Sequence, residues 1–535
     1  VGFDDMEWWR GKSKAPGRSW AMEITPDGKM SLYAAGLRSP AGQGLVDGKY
    51  FYAENQGDWV GSGYMTILNK GDFIGHPAGL VWADKPGSPV LARTEDIYKR
   101  VDPRFNQGRI QDDDPKRPYK TLFEVAKEVP GMKTPSVWLP HSVMGTSTSS
   151  LIQIPNDDKF GPFGGQVLIG DQGQSRLNRV FLEQIKGDYQ GAAFTFREGF
   201  ESGVLRLEWG NDGSLFVGQT NRGWGSKGQK DFGLERVVWS QKTPFEMKAV
   251  RAMPDGFEIE FTKPVNKTAA ADPDAYTLTS FIYKYHPVYG SDVVREQTLI
   301  ADAAIVSADG LKVRLVVDGL RENYIHEINV GDKVTSADSS HNVLHPIAYY
   351  TLKHIPDGEK LNVPKRKAKA AGHDHSMMMG STTAAPAKTA PAANTSAGLK
   401  KNQVDKPASW TTIDQTIVVG TSPGLKFDKP ELTVKAGSKV KLTFSNTDDM
   451  PHNFVVVPAG QAIAVGELAM KMGLAGVKLD HIPNTPKVLF NTKLVGPGSS
   501  QTIYFVAPTT PGKYTYVCTV PGHFYVMQGT LIVGK

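Results

Sequence analysis

The chain has 535 residues, and 61 basic against 55 acidic side chains give it a formal charge of +6. That surplus is too small to predict a nucleic-acid partner, and no segment has the ~18 consecutive apolar residues that would cross a membrane. A single cysteine excludes an intramolecular disulfide. The 56 glycines, 35 prolines and 10% aromatic residues favour an all-β protein of several domains.

Residues 1–242 repeat one local pattern, a turn followed by alternating apolar residues. It occurs at Asp27-Gly28, Asp47-Gly48 and Asp212-Gly213. Repeated turn-and-strand units predict the blades of a β-propeller. Because a blade takes about 40–50 residues, we expect about four blades, in a propeller that is N-terminally incomplete or completed by another chain. The charge-rich stretch Asp84–Lys133 is predicted to be a surface excursion between blades.

The remaining chain divides into three parts. Residues 243–356 carry alternating strands without the Asp-Gly repeat, as in Phe257–Phe261, which favours an immunoglobulin-like β-sandwich. Residues 357–409 are rich in Lys, Ala, Pro, Thr and Ser, the composition of a flexible linker. Alternation returns in 410–535, as in Val440–Phe444, and predicts a small β-sandwich or barrel.

Four side chains in the last part suggest a metal site. Cys518, His523 and Met527 lie on one loop between two predicted strands, and His452 follows another strand about 65 residues upstream. A thiolate and two imidazoles in a plane, with a weak axial thioether, are the ligands of a type 1 copper site. The alternative is a buried cysteine with incidental neighbours, which does not explain why the residues fall at matching strand ends.

Residues 410–535 resemble the cupredoxins, and the Cys-x4-His-x3-Met loop resembles that of azurin and auracyanin more than the shorter loop of plastocyanin. The resemblance implies a Greek-key β-barrel that carries electrons through one blue copper. It also implies that Asn453 hydrogen-bonds to the cysteine loop and that the His523 ring is the electron port. Pro451, where azurin has glycine, argues against a fifth ligand. Phe524 and Tyr525 form either an apolar docking surface or ordinary packing.

Short polar clusters bounded by Gly and Pro follow strands in the first part, as at Gly36–Pro40, Glu54–Asp58 and Gly75–Pro77. Such loops suit the mouth of a propeller, where a ligand binds. The clusters resemble those of glucose/sorbosone-dehydrogenase-like propellers, which are related to soluble sugar dehydrogenases that use pyrroloquinoline quinone (PQQ). The resemblance implies that Arg38 contacts the quinone and Asp58 binds calcium.

Catalysis by the first part is a weaker prediction. His76 and His141 are candidate catalytic residues, although a histidine in such a loop is more often structural. The catalytic histidine of the PQQ-dependent family precedes the arginine phrase, and no histidine precedes Arg38 here. That difference argues against catalysis by this chain alone.

These features predict two alternative functions for the chain. The first is a bacterial redox protein, periplasmic or extracellular on the cell surface, whose propeller oxidises a sugar or alcohol at PQQ as an oxidoreductase. Its tethered copper domain would pass electrons to a cytochrome c or another redox protein. The second is a non-enzymatic copper electron carrier whose propeller and sandwich are binding or scaffold modules. His373, His375 and Met377–Met379 in the linker make either a copper-capturing tether or an ordinary spacer.

Overall fold

The structure is a computed structural model that describes residues 15–102, 118–141, 143–221, 225–228, 230–366, 404–422, 425–448, 450–472, 476, 479–520 and 522–535. Strands dominate its regular structure, and the few helices are short. Within these ranges no helix combines the length and the apolar character that a membrane crossing requires.

The described residues of the first part form fourteen strands, among which β1-β2, β3-β4-β6-β7 and β12-β13-β14 make antiparallel sheets of two, four and three strands. The strands are β1 (Trp20–Ile24), β2 (Met30–Ala35), β3 (Gly42–Val46), β4 (Lys49–Glu54), β5 (Trp59–Val60), β6 (Gly63–Ile67), β7 (Val137–Leu139), β8 (Thr148–Gln153), β9 (Val167–Asp171), β10 (Arg176–Ile185), β11 (Asp188–Glu198), β12 (Val204–Trp209), β13 (Leu215–Thr220) and β14 (Phe232–Val237).

One of the predicted turns shows how the local sequence sets a hairpin. Asp47 and Gly48 join β3 to β4 with φ values of 48° and 71°. A two-residue hairpin turn with positive φ at both positions matches the twist of the flanking strands. The Asp-Gly pair therefore fixes the register that places Glu54 and Asp58 at the far end of β4.

The stretch Asp84–Lys133 differs from the predicted surface excursion. Its described residues include α1 (Thr94–Tyr98) and α2 (Leu122–Ala126), which follow a 3₁₀ helix at Pro77–Trp82. Ile97, Val101, Leu122, Val125 and Val129 are buried in the main core of the first part. The apolar residues recur at intervals of three and four, which is the spacing of a helix face. Charged residues between them hid that spacing in the sequence.

The second part adds eight strands and a short helix, α3 (Lys267–Ala270), with a 3₁₀ turn at Pro273–Ala275. The strands are β15 (Met247–Met253), β16 (Gly256–Phe261), β17 (Tyr276–Ile282), β18 (Tyr285–His286), β19 (Val294–Val306), β20 (Lys312–Asp318), β21 (Tyr324–Val330) and β22 (Ile347–Leu352). β19 pairs with β17 through Leu299 and with β20 from Ile300, so one strand serves two sheet segments. Their apolar faces share one core.

The first and second parts are joined by hydrogen bonding as well as by packing. β22 pairs with β11, from Gly191 opposite Thr351 to Phe194 opposite Ala348, so that β8–β11 and seven strands of the second part, all but β18, form one eleven-stranded sheet. β18 also pairs with β5. Tyr283 and Tyr285 are buried in the core of the first part. The boundary predicted after residue 242 therefore lies within one continuous structure.

Residues 367–403, which include the His- and Met-rich segment, lie outside the described residues. The ends of the predicted linker are described. Arg366 pairs with Asp274 of the second part at 2.6 Å. Trp410 is buried against Tyr504 and begins the third part at the predicted position.

The third part is a β-sandwich of two sheets with one longer helix, α4 (Ala462–Lys471), and a 3₁₀ helix at His523–Tyr525. The sheets have the orders β24-β23-β26-β29 and β25-β31-β30-β27-β28. Their strands are β23 (Gln415–Ser422), β24 (Lys426–Phe427), β25 (Glu431–Lys435), β26 (Lys439–Ser445), β27 (Val455–Pro458), β28 (Phe490–Asn491), β29 (Ser500–Val506), β30 (Gly512–Val517) and β31 (Gln528–Gly534). Alternating apolar residues from both sheets, such as Val440 and Leu531, fill the core.

Candidate metal centre

Strand pairing brings the distant histidine to the cysteine loop. β27 pairs with β30 so that Val455 lies opposite Val517, one residue before Cys518. His452 precedes β27, and its backbone is bonded in both directions to Val495, with N···O distances of 3.0 and 2.7 Å. The register of two neighbouring strands thus sets the position of His452 relative to Cys518.

Three donor atoms converge in the buried interior of this sandwich. The Sγ atom of Cys518 lies 3.6 Å from Nδ1 of His452 and 3.6 Å from Nδ1 of His523. The two Nδ1 atoms are 3.1 Å apart. Among the described residues, this is the group of His, Cys, Asp and Glu side chains with the geometry for holding a metal ion.

The dimensions of the group fit a metal ion. A triangle with sides of 3.6, 3.6 and 3.1 Å has a circumscribed radius of about 2 Å. Metal–imidazole bonds are ~2.0–2.1 Å long and metal–thiolate bonds ~2.3 Å. One thiolate and two imidazoles in a plane select copper over harder cations. The three side chains therefore fit a copper ion held in their plane.

Met527 is bound into the same loop. The backbone N–H of Cys518 donates to the Met527 carbonyl at 3.1 Å, and the Met527 N–H donates to the His523 carbonyl at 2.8 Å. The Met527 side chain is fully buried in the core that contains Cys518. These bonds tie the thioether-bearing residue to both loop ligands.

Asn453 makes the contact to the cysteine loop that the cupredoxin resemblance implies. Its Oδ1 accepts from the Thr519 N–H at 2.7 Å, and its Nδ2 donates to Thr519 Oγ1 at 2.9 Å. A third bond runs from Nδ2 to the Asp480 carbonyl at 2.8 Å. This buried amide holds the loops of His452 and Cys518 together.

Asp448 is a functional residue that the sequence analysis missed. Its Oδ2 atom lies 3.2 Å from Nε2 of His452, on the side of the ring away from Cys518. Burial disfavours protonation of His452, but the contacts with Asp448 and Cys518 outweigh it and raise the pKa of His452 to about 9. In the sequence, Asp448 could have been recognised as an acidic residue four positions before the predicted ligand His452. A carboxylate there fixes the tautomer that presents Nδ1 to a metal.

His523 is buried in the structure, although the resemblance implies that its ring is an exposed port. Only 7% of the residue is accessible. Burial, followed by the charges of His452, His481 and His141, holds the pKa of His523 well below its ordinary value. Phe524 and Tyr525 are also buried, in a small core that includes Val465 of α4. Ordinary packing is therefore their role.

A small cavity lies between His523 and the first two parts of the chain. Its volume is about 60 Å³. It is lined by Arg38, Ser39, Asn55, Gln56, Thr146, Ser147, Gln172, Gly173, Gly225, Tyr289, Leu425, Met450, Gly522 and His523. Arg38, predicted to bind a cofactor, thus shares a cavity with a predicted copper ligand.

Beside this cavity the structure brings together three of the residues predicted in the first part. Arg38 Nε lies 2.5 Å from Asp58 Oδ1, and His76 Nε2 lies 3.0 Å from Asp58 Oδ2. Burial alone would raise the pKa of Asp58, but His76 and Arg38 hold it below its ordinary value. Glu54 accepts from the backbone N–H groups of Arg38 and Ser39 at 2.7 and 2.9 Å. The cluster is a buried, internally paired ionic network.

This arrangement does not fit calcium or PQQ. Both carboxylate oxygens of Asp58 contact cationic partners or ring nitrogens, so Asp58 would have to leave them to bind calcium. Sites for drug-sized ligands have volumes of ~300–1,000 Å³, whereas this cavity has about 60 Å³. A tricyclic quinone has no room between Arg38 and His523.

His141 lies near this region but outside the cluster. Burial lowers its pKa to about 4, against the opposing charge of Asp292. Its backbone N–H donates to the hydroxyl of Tyr283 at 3.1 Å. Tyr289, whose ring centroid is 5.3 Å from the Arg38 guanidinium carbon, was not signalled by any motif. The catalytic roles of His76 and His141 stay predictions.

Comparison with known proteins agrees with the metal geometry. Residues 415–534 match the plastocyanin/azurin family of copper-binding proteins. Auracyanin-A of Chloroflexus aurantiacus is 37% identical over 122 residues, which are 22% of this chain and 74% of auracyanin-A. Auracyanin-B of the same bacterium is 34% identical over 123 residues, which are 22% of this chain and 52% of auracyanin-B.

A solved structure of dithionite-reduced auracyanin from Roseiflexus castenholzii is also similar, with 35% identity and a TM-score of 0.21. The similarity covers 23% of this chain and 100% of that one. The family match, the identity with auracyanin-A and the cluster of His452, Cys518 and His523 identify the third part as a blue-copper cupredoxin domain with one copper site, as the sequence predicted. Through residues 415–534, the chain belongs to the plastocyanin/azurin family of copper-binding proteins.

Proposed function

We propose that this chain is a one-electron carrier whose type 1 copper would be held by His452, Cys518, His523 and Met527. The observation that supports it is the buried triangle of two Nδ1 atoms and one Sγ atom, with sides of 3.1 to 3.6 Å. Copper bound there supplies a reversible one-electron couple.

The residues around the ligands suit that task. Asp448 holds the His452 ring from behind, and Asn453 holds the Cys518 loop through Thr519. Both contacts would keep the ligand positions the same in the two oxidation states. Burial of Met527 and Cys518 excludes water from the site. If the four proposed side chains hold the copper, no coordination position would be left for a substrate. Electron transfer, and not catalysis at the metal, is the function this geometry supports.

Absorption and electron paramagnetic resonance spectra of the copper-loaded protein test the ligand assignment. The Cu(II) form should be intensely coloured by thiolate-to-copper charge transfer, and Cys518→Ser should lose that colour. Ser438→Cys, a new thiol outside the copper site, serves as the control and should leave it intact. A Cys518→Ser protein with an unchanged spectrum would refute the site.

For the first 409 residues, the proposal that fits the observations best is a scaffold for the copper domain, in a propeller region (1–242), a sandwich (243–356) and a linker (357–409). The small cavity and the internally paired Asp58 support a role without a bound quinone. The external partner we propose is a cytochrome c or another redox protein, in the periplasm or at the bacterial cell surface.

A dehydrogenase is the second candidate. It would require Asp58 to leave its partners and the small cavity to widen before a quinone could bind, but one observation favours it. The buried network of Arg38, Asp58 and His76 adjoins the cavity that His523 lines, so a reaction there would occur next to the copper. The test is to add PQQ, Ca²⁺ and aldoses or alcohols to the blue protein. Bleaching that depends on PQQ supports the enzyme, and absence of quinone binding excludes it. Metal analysis with more than one copper per chain would instead indicate copper storage.

A further inference from the structure

The copper loop and the first part of the chain are in direct contact. A Cβ atom built on Gly225 would lie only 2.4 Å from Cγ1 of Val526, and one built on Gly522 would lie 3.8 Å from Cγ2 of Thr146. Lys227 of the first part also reaches α4 of the copper domain, where its Nζ is 3.9 Å from Oε1 of Glu467. Glycine at 225 therefore permits a close approach that any other residue would block.

The contact covers the part of the copper domain that electrons would cross. Gly522 and Val526 flank the 3₁₀ helix that begins at His523. The small cavity that His523 lines is also bounded by residues of the first and second parts, including Ser147 and Tyr289. The ring is consequently 7% accessible, which is too little for a protein partner to reach it.

We propose that the rim formed by Thr146, Gly225 and Lys227 is a docking site for residues 522–526 of the same chain, and that docking closes the electron port at His523. The docked form exchanges electrons slowly with protein partners, and these partners react with the undocked form. The inference rests on the proposed electron-carrier function, because it concerns access to that copper site.

The chemistry of the contact suits a reversible association. The ion pair of Lys227 and Glu467 is long and partly exposed, so it contributes little to affinity and is weakened by salt. Because the two surfaces belong to one chain, their effective concentration is of the order of millimolar when the connection can span them. A weak interface is therefore sufficient to keep the loop docked much of the time.

Stopped-flow kinetics of the blue, copper-loaded full chain test the proposal. The probes are a reduced c-type cytochrome, which needs access to the surface around His523, and ascorbate, which is small. Gly225→Val places a branched side chain against Val526, and we expect it to speed the cytochrome reaction about tenfold, within the range that interface changes produce. Gly218→Ala is the matched control, since its Cβ would meet Arg206 at an ordinary 3.6 Å.

A locked form gives the opposite test. Lys227→Cys with Glu467→Cys, joined by a short bismaleimide, should suppress the cytochrome reaction while ascorbate still bleaches the colour. If blue colour is present and the cytochrome rate is the same in the wild type, Gly225→Val and the cross-linked protein, the docking inference is overturned. Absence of blue colour in every protein would instead overturn the electron-carrier proposal, so the two failures are distinguishable.

Discussion

The Nε2 atom of His452 lies 3.2 Å from Oδ2 of Asp448, while its Nδ1 atom lies 3.6 Å from the Cys518 sulfur. The ring is thus held between a carboxylate and the thiol. A carboxylate on the far nitrogen makes an imidazole more basic and increases its donation to a bound metal. Cu(II), with the higher charge, benefits more from that donation than Cu(I).

Replacing this carboxylate should raise the reduction potential. Asp448→Asn removes the negative charge, and loss of such a partner weakens metal binding by about 10–100-fold. If the loss falls mainly on Cu(II), each tenfold corresponds to ~59 mV for a one-electron couple. Redox titration of the blue band measures the shift, with Glu431→Gln, an exposed acid on β25, as the control. A lower potential in Asp448→Asn would contradict the role given to Asp448.

Asn453 should contribute strongly to the stability of the copper domain. Its buried amide makes three hydrogen bonds to Thr519 and Asp480, each worth ~1 kcal/mol. Asn453→Ala should therefore lower the free energy of unfolding by about 3 kcal/mol. Chemical denaturation followed by tryptophan fluorescence measures it, and Thr433→Ala, at an exposed strand position, should change it by less than about 0.5 kcal/mol. Equal effects of the two substitutions would refute the contribution of the amide.

Copper removal should leave the fold intact. Cys518, His452 and His523 are held by backbone bonds and by packing that do not involve the metal. Circular dichroism of the apoprotein should therefore match that of the copper form. Copper binds only the folded state, so it should add about 2.7 kcal/mol of stability at a free concentration 100 times the Kd. Calorimetry of the two forms checks this, and an apoprotein without cooperative unfolding would contradict it.

The buried ionic network should be sensitive to loss of Asp58. Asp58→Asn leaves the Arg38 guanidinium buried without its carboxylate, a change that costs about 3–5 kcal/mol. Glu201→Gln, in the exposed pair with Lys230, should cost less than about 1 kcal/mol. Urea unfolding of both variants measures the contrast. A loss for Asp58→Asn no larger than that for Glu201→Gln would show that the network contributes little.

The same carboxylate gives a pH dependence. The pKa of Asp58 is lower in the folded state than in the unfolded chain, because His76 and Arg38 outweigh the effect of burial. Its contribution to stability is therefore present above the unfolded-state pKa and lost as pH falls through the folded-state value. Acidification from pH 7 should lower the free energy of unfolding less in Asp58→Asn than in the wild type. Urea unfolding at neutral and acidic pH measures the difference.

Features formed by residues close together in the chain could be predicted from the sequence more readily than features formed by distant residues. The proposed loop ligands Cys518, His523 and Met527 are close in the chain, so their spacing alone indicated the chemistry. His452 was found because a ligand set of this kind requires a second imidazole after a strand. Asn453 followed from the cupredoxin resemblance, and its bonds to Thr519 confirm that implication.

Long-range features could not be predicted. Nothing in the local pattern shows that β22 pairs with β11, since a pairing between distant strands leaves no periodic signal. Burial of His523 depends in part on Gly225 and Thr146, which lie some 300 residues or more away along the chain. Charged residues concealed the helix faces of α1 and α2. The propeller and immunoglobulin-like assignments stay predictions.

The pairing of β11 with β22 has a practical consequence for dissecting the protein. A fragment cut at the predicted boundary after residue 242 would keep β11 but lose the strand that covers its outer edge. Bare edges of this kind recruit strands from other molecules. Such a fragment should be obtained as an aggregate, whereas one that extends through Leu352 retains the covering strand. Useful expression boundaries therefore lie beyond the second part.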